Sequence, residues 1–208
     1  GHTRFVQDVA YAKDGSTFAS VGSDGQLLLY DGTSGDTKHT VANAHAGTAY
    51  AVRFAPDSAH VVTAGADGLV KVWRVADAEL VASFDAKAHA ANKVDAQQVG
   101  VVWAQPGVVA SIGLEGVLYV LDVDPAAGTL QLRAPLVGPT KGVSSLVYAA
   151  QTDMVGVGSY DGRVYTYRRD GGASSLPQAS GAPSVVGIGA ERDDGEFYAI
   201  ALDDTVGR

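Results

Sequence analysis

Residues 44–73 read AHAGTAYAVRFAPDSAHVVTAGADGLVKVW, and this stretch decides the fold. It sets a histidine, a threonine, an aspartate and a tryptophan at fixed spacing, with His45 placed 22 residues before Asp67. The start of the chain repeats the arrangement, with His2 placed 22 residues before Asp24. The complete sets are His2, Ser20, Asp24 and Tyr30 in the first copy, and His45, Thr63, Asp67 and Trp73 in the second.

The unit recurs along the chain with a period close to 43 residues, marked by an acidic residue in a predicted tight turn. These acidic residues are Asp24, Asp67, Glu115, Asp161 and Asp203, at intervals of 43, 48, 46 and 42 residues. A His, a Ser or Thr, an Asp and an aromatic residue at such spacing are the signature of a WD-repeat β-propeller blade. The sequence therefore predicts an all-β fold with four full four-stranded antiparallel blades and a truncated fifth.

Strand positions follow from the alternation of apolar residues and from the Asp-Gly turn signals. In the second unit this pattern predicts strands at 50–54, 60–64, 69–73 and 80–84. The repeats begin near residues 1, 44, 98 and 138, so residues 1–170 are predicted to hold four repeats. Residues 171–208 are predicted to form a connection and the truncated fifth repeat. The small, polar stretch that opens this segment is either a domain junction or an ordinary loop with a weak outer strand.

Two of the later units lose part of the set. The third unit keeps Ser111 and Glu115 but has Gln98 near the histidine position and Leu121 at the aromatic position. The fourth unit keeps Asp161 and Tyr167 but has Pro139 at the histidine position and Val157 at the Ser/Thr position. Closed propellers of this class have about seven blades. We therefore expect this chain to be a fragment of a longer protein.

The recurring polar residues have a structural explanation. A turn carboxylate that accepts hydrogen bonds from the histidine and from backbone N–H groups can be buried at little cost. A His, an Asp and a Ser could also form a catalytic triad, but a triad needs an exposed site, and this pattern recurs in blade after blade. We predict that these residues hold the blades together and that none of them is catalytic.

Composition limits the possible partners and cofactors. The net charge is −8 and no cluster of Lys or Arg is present, which disfavours nucleic acid as a partner. There is no cysteine, the five histidines lack metal-ligand spacing, and no apolar run is long enough to span a membrane. We predict no metal site, no cofactor and no membrane partner.

Beyond the generic repeat, the chain resembles the actin-interacting protein 1 family of WD-repeat proteins over its whole length. The most specific stretch is Gln97-Gln98-x-Gly-x-x-Trp103, because ordinary WD repeats have Gly-His there. The other matching stretches are His2–Val6, Ser23–Gln26, Leu29–Gly32, Ala44–Val52, Asp95–Trp103, Ser111–Asp122, Ser159–Gly162 and Asp203–Val206. Pro139 and Val157 depart from the family pattern, where His and Ser are usual.

The resemblance implies two joined seven-bladed propellers, with residues 1–170 covering later blades of the first and 171–208 reaching the start of the second. It also implies a cytoplasmic, cytoskeletal protein that binds actin filaments and cooperates with cofilin to disassemble them. The predicted protein-binding residues are Phe5, which matches an aromatic residue in the family's His-x-x-Phe-Val motif, and then Ser23 and Tyr160. The alternative is a WD-repeat scaffold for another assembly, and an enzyme is the least favoured class.

Overall fold

Consecutive strands pair into antiparallel sheets along the whole described chain, as seen in a computed structural model. The structure describes residues 1–136, 138–139, 142–150, 152–168, 173–175, 185–190, 197–201 and 206–207. Each sheet is built from strands that follow one another in sequence. Sequence-local sheets of this kind are the blades of a β-propeller.

The first two blades have four strands each. Blade 1 contains β1 (Val6–Tyr11), β2 (Thr17–Gly22), β3 (Leu27–Asp31) and β4 (Thr37–Val41). Blade 2 contains β5 (Ala49–Phe54), β6 (His60–Gly65), β7 (Leu69–Arg74) and β8 (Leu80–Asp85). The predicted strands of the second unit differ from these by no more than one residue at either end.

The later sheets follow the same order. Blade 3 contains β9 (Gln98–Gln105), β10 (Val108–Gly113), β11 (Leu118–Asp124) and β12 (Thr129–Leu136). Blade 4 contains β13 (Val143–Ala149), β14 (Met154–Ser159), β15 (Val164–Arg168) and β16 (Ala173–Ser175). In the described part of residues 176–208, the fifth sheet has three strands, β17 (Val185–Ala190), β18 (Phe197–Ala201) and β19 (Val206–Gly207). The predicted fold class, four full blades and an incomplete fifth, is confirmed.

The hydrophobic core lies between neighbouring blades. Residues of blades 1 and 2 form one cluster, which includes Val21, Leu29, Val61 and Trp73. A second cluster joins blades 2 and 3 and includes Val72, Phe84, Trp103 and Tyr119. A third joins blades 3 and 4 and includes Ile112, Val120, Val157 and Tyr167. Both faces of an inner blade are therefore buried, which explains the long apolar runs in its central strands.

The turns between second and third strands meet the connections that enter the first strands. In each blade a backbone N–H of the turn donates to a carbonyl of the connection. These bonds run from Ser23 to Phe5 (2.8 Å), Ala66 to Thr48 (2.8 Å), Leu114 to Gln97 (2.8 Å) and Tyr160 to Gly142 (3.0 Å). We call this end of the blades the loop face; it comprises the turns at 23–26, 66–68, 114–117 and 160–163 with those connections.

Glycine is required in the turn of blade 1 for two reasons. Gly25 has a φ of +73°, and a Cβ at this position would lie 2.4 Å from the carbonyl oxygen of His45. Only glycine satisfies both the left-handed backbone and the close approach of the next blade. Between blades 2 and 3 the connection contains a single-turn 3₁₀ helix, Ala86–Ala88. Among the described residues, no helix is long and apolar enough to cross a membrane.

Candidate protein-binding site

A hydrogen-bonded chain of side chains runs from the loop face into the strands of blade 1. His2 Nδ1 lies 2.9 Å from Asp24 Oδ1, and His2 Nε2 lies 2.8 Å from Ser20 Oγ. Ser20 Oγ is in turn 3.1 Å from the hydroxyl of Tyr30. The carboxylate of Asp24 also accepts from the backbone N–H groups of Thr3 (2.7 Å) and Gln26 (3.1 Å). The structure thus brings together all four network residues predicted for this blade.

Blade 2 contains the same chain with Trp73 in place of tyrosine. His45 Nδ1 lies 2.8 Å from Asp67 Oδ1, and His45 Nε2 lies 2.8 Å from Thr63 Oγ1. The indole N–H of Trp73 donates to Thr63 Oγ1 at 2.9 Å. Because an indole can only donate, Thr63 Oγ1 accepts from Trp73 and its own proton is available to His45 Nε2, with His45 Nδ1 donating to Asp67. The network therefore has a consistent direction of donation.

The two turn carboxylates are held in their charged form. Burial opposes the charge on Asp24 and on Asp67. Hydrogen bonds from His2 and His45, together with backbone N–H groups, outweigh burial and lower the pKa of each carboxyl to about 2. The hydroxyl of Thr63 is fully buried and occupied by Trp73 and His45. This geometry supports a structural function for the network, because the hydroxyl is not presented to a substrate.

Blade 3 rebuilds part of the network without a histidine. Gln98 is fully buried; its Oε1 accepts from Ser111 Oγ at 2.7 Å and its Nε2 donates to the carbonyl of Ala96 at 2.8 Å. The turn acid Glu115 instead accepts from the hydroxyl of Tyr119 at 2.7 Å. The network is thereby split into two pairs.

Blade 4 has neither the histidine nor the Ser/Thr hydroxyl of the network. Asp161 accepts from the hydroxyl of Tyr165 at 2.7 Å and from the backbone N–H of Arg163 at 3.0 Å. Val157 occupies the Ser/Thr position and cannot accept a hydrogen bond. Among the described residues, the hydroxyl of Tyr167 has no hydrogen-bond partner although it is buried. Burial raises the pKa of Tyr167.

The sequence pattern did not predict two side-chain contacts of the turn acids. Tyr119 and Tyr165 each lie four residues after the turn acid that they contact, where blades 1 and 2 have Leu28 and Lys71. The signal was available, because the third and fourth units, which lack the histidine, both have tyrosine at this position, whereas the first two units do not. In blades 3 and 4, a tyrosine hydroxyl therefore donates to the turn acid in place of the missing histidine.

The structure places the predicted protein-binding residues at two separate points of the loop face. Phe5 is 83% exposed, and its carbonyl accepts from the backbone N–H of Ser23. Ser23 Oγ accepts from Gln7 Nε2 at 2.6 Å, so Ser23 and Phe5 are neighbours in blade 1. Tyr160 is 49% exposed and lies in blade 4, with blades 2 and 3 in between. No cluster of three or more possible metal ligands occurs in the described part of the chain.

Comparison with known proteins agrees with this geometry. Residues 1–31 and 35–74 match the family model described as WD domain, G-beta repeat. The first two blades are therefore WD repeats. It is 32% identical over 99% of its length to Actin-interacting protein 1 of Drosophila melanogaster. It is 29% identical, again over 99% of its length, to WD repeat-containing protein 1 of Xenopus tropicalis.

The similarity extends to mammalian relatives but covers only part of each relative. Over 58% of its length, the chain is 36% identical to WD repeat-containing protein 1 of Mus musculus. The matched regions amount to 32%, 33% and 20% of the Drosophila, Xenopus and mouse proteins. The chain thus spans about a third of the length of the first two. The predicted resemblance to the actin-interacting protein 1 family is confirmed.

Proposed function

We propose that this protein binds actin filaments and cooperates with cofilin to disassemble them, as a non-enzymatic component of the cytoplasmic cytoskeleton. The observation that carries the proposal is the similarity, over 99% of the chain, to a protein named Actin-interacting protein 1. The buried hydroxyls of Ser20 and Thr63 agree with a binding function, because both are committed to the blade networks.

Phe5 is the first residue proposed to contact the filament. Its side chain is 83% exposed, whereas its backbone is fixed to the turn of blade 1 by the 2.8 Å bond from Ser23. An aromatic side chain on a fixed backbone has few rotatable bonds to order on binding and can bury a large apolar area. Residues with these properties are frequent binding hot spots.

Co-sedimentation with actin filaments, with and without bound cofilin, tests the proposal. We expect the full-length protein to pellet with cofilin-decorated filaments and to shorten them, as measured by filament length in fluorescence microscopy. Bare filaments are the matched control and should show much weaker shortening. Absence of any cofilin-dependent effect would contradict the proposal and favour a scaffold for another assembly, which the fold equally permits.

A further inference from the structure

The first strand of each four-stranded blade contains a β-bulge near the loop face. In blade 1 the register shifts between Val6 and Asp8, so Gln7 is the extra residue of the bulge. The equivalent extra residues of blades 2, 3 and 4 are Tyr50, Val99 and Ser144. A bulge turns its extra side chain away from the regular alternation of the strand. These side chains can therefore make contacts that differ from blade to blade.

The bulge side chain of blade 1 bonds to the turn beside it. Gln7 Nε2 donates to Ser23 Oγ at 2.6 Å, and the Ser23 N–H donates to the carbonyl of Phe5 at 2.8 Å. These two bonds share Ser23, and together with the backbone from Phe5 to Gln7 they close a ring. On the other side of Phe5, the Thr3 N–H donates to Asp24 Oδ2 at 2.7 Å. The backbone that carries the Phe5 side chain is thus held to the turn from both sides.

The other described blades lack this side-chain bond. Blade 2 has Ala66 in the turn, which offers no side-chain acceptor, and the hydroxyl of Tyr50 donates instead to Gln97 Oε1 at 3.2 Å. Val99 of blade 3 has no polar side-chain atom. Ser144 Oγ of blade 4 has no hydrogen-bond partner within the described part of the chain. The bond between bulge and turn side chains is therefore a property of blade 1 among these four blades.

Blade 1 also differs from these blades at the residue whose carbonyl accepts from the turn. The four residues at this position are Phe5, Thr48, Gln97 and Gly142. Phe5 is the aromatic one, and because its side chain is 83% exposed, packing against the core does not orient it. The extra bond is thus found in the blade where an exposed aromatic side chain depends on its backbone for a defined position.

We propose that Gln7 is a positioning residue for filament binding, which acts through Ser23 to hold the backbone of Phe5 in the orientation that the filament contacts. This inference rests on the proposed function and on Phe5 as a contact residue. A segment that is ordered before binding loses less conformational entropy on association. Gln7 therefore strengthens binding without touching the partner.

A double-mutant cycle in the full-length protein tests whether Gln7 acts through Phe5. The proteins are the parent, Gln7→Ala, Phe5→Ala and the double variant, and the measurement is co-sedimentation with cofilin-decorated filaments. We expect Gln7→Ala to weaken binding about threefold in the parent and to have no further effect in the Phe5→Ala background. Ser23→Ala should match Gln7→Ala, because both remove the same bond. Tyr50→Phe removes the bond of the equivalent residue in blade 2, so this control should bind like the parent.

Hydrogen exchange follows the same segment without the filament. Exchange of the Ser23 amide, measured by mass spectrometry on a peptide that contains it, reports how often its bond to Phe5 opens. This amide should exchange about threefold faster in Gln7→Ala and at the parent rate in Tyr50→Phe. The thermal melt of Gln7→Ala should coincide with that of the parent, because Gln7 is exposed and lies outside the core.

The outcomes separate this inference from the proposed function. Equal weakening by Gln7→Ala with and without the Phe5 side chain would mean that Gln7 contacts the filament itself, and the positioning function would be wrong. Parent-like binding or parent-like exchange in Gln7→Ala would also overturn the inference, while the proposed function would stand. If the parent itself does not sediment with decorated filaments, the proposed function and this inference fall together.

Discussion

Ser111 Oγ donates a 2.7 Å hydrogen bond to Gln98 Oε1 in the interior of blade 3, where neither side chain is exposed. The pair occupies the place that Ser20 and His2 occupy in blade 1. A glutamine can satisfy the buried hydroxyl, yet among the described bonds its side chain does not contact the turn acid. The acid is satisfied separately by Tyr119. Blade 3 therefore keeps its buried serine and its turn acid paired without a histidine.

Replacing Gln98 tests this substitute network. Gln98→Ala removes the acceptor of Ser111 and opens space in the core, so we expect the free energy of unfolding to fall by about 1–3 kcal/mol. Urea unfolding of the full-length protein measures the change. Gln131→Ala, at an exposed position of β12, is the control and should change stability by less than about 0.5 kcal/mol. Equal stabilities for both variants would contradict the network.

Two tyrosine-to-phenylalanine changes should have opposite consequences. Tyr30→Phe removes a hydroxyl that is bonded to Ser20, so we expect a loss of about 0.5–1.5 kcal/mol. Tyr167→Phe removes a buried hydroxyl without a described partner, so stability should be unchanged or higher. Thermal melts of the two variants measured side by side decide the matter. A larger loss for Tyr167→Phe would show that its hydroxyl is satisfied after all.

The turn carboxylate of blade 2 should be essential for stability. Asp67→Ala leaves the buried imidazole of His45 and the N–H groups of Ala46 and Leu69 without their acceptor. We expect a loss of about 1–3 kcal/mol in chemical unfolding. Asp36→Ala removes an exposed carboxylate and serves as the control. An Asp67→Ala curve that overlays the parent curve would refute the function assigned to this residue.

The lowered pKa values predict an acid-sensitive fold. The carboxyls of Asp24 and Asp67 have a pKa of about 2 in the folded chain against an ordinary value of 3.8. Their stabilising effect is complete above the unfolded value, and it is lost as the pH falls from about 4 through 2. Asp67→Asn should therefore lose less stability than the parent between pH 5 and pH 2.5, measured by urea unfolding. Parallel losses in the two proteins would contradict this prediction.

Phe5→Ala should weaken filament binding without unfolding blade 1. The side chain is 83% exposed and contributes little to the core, so the melting temperature should stay unchanged. Loss of an aromatic anchor should reduce co-sedimentation with cofilin-decorated filaments by about tenfold. Leu80→Ala, another exposed apolar residue, is the control. Equal binding and equal melts would remove Phe5 from the contact surface.

Much of the fold and part of the site could be predicted from the sequence. Each blade is built from strands that follow one another in sequence. Its turns and its His–Asp spacing can therefore be recognised within about 43 residues of sequence. The residue pattern within one repeat was enough to predict the strand limits of blade 2 and the pairing of His45 with Asp67. Gln98 and Pro139 were also recognised as departures. What replaces the missing contacts was not predicted, because Tyr119 and Tyr165 lie outside the standard set of positions.

The sequence by itself determined the repeat, the propeller-like class and the positions of the turn acids in blades 1 to 4, because these depend on residues close together in the chain; the fifth predicted acid, Asp203, lies outside the described residues. Tertiary structure decided which groups between blades are buried, paired or exposed. Asp8 accepts from the backbone N–H of Val52 at 3.0 Å and pairs with Arg53, across 44 and 45 residues of sequence. The exposure of Phe5, Leu114 and Tyr160 on the loop face was likewise decided by the tertiary structure. Burial depends on which neighbouring blade packs against a residue, and the repeat pattern within one blade does not specify that neighbour.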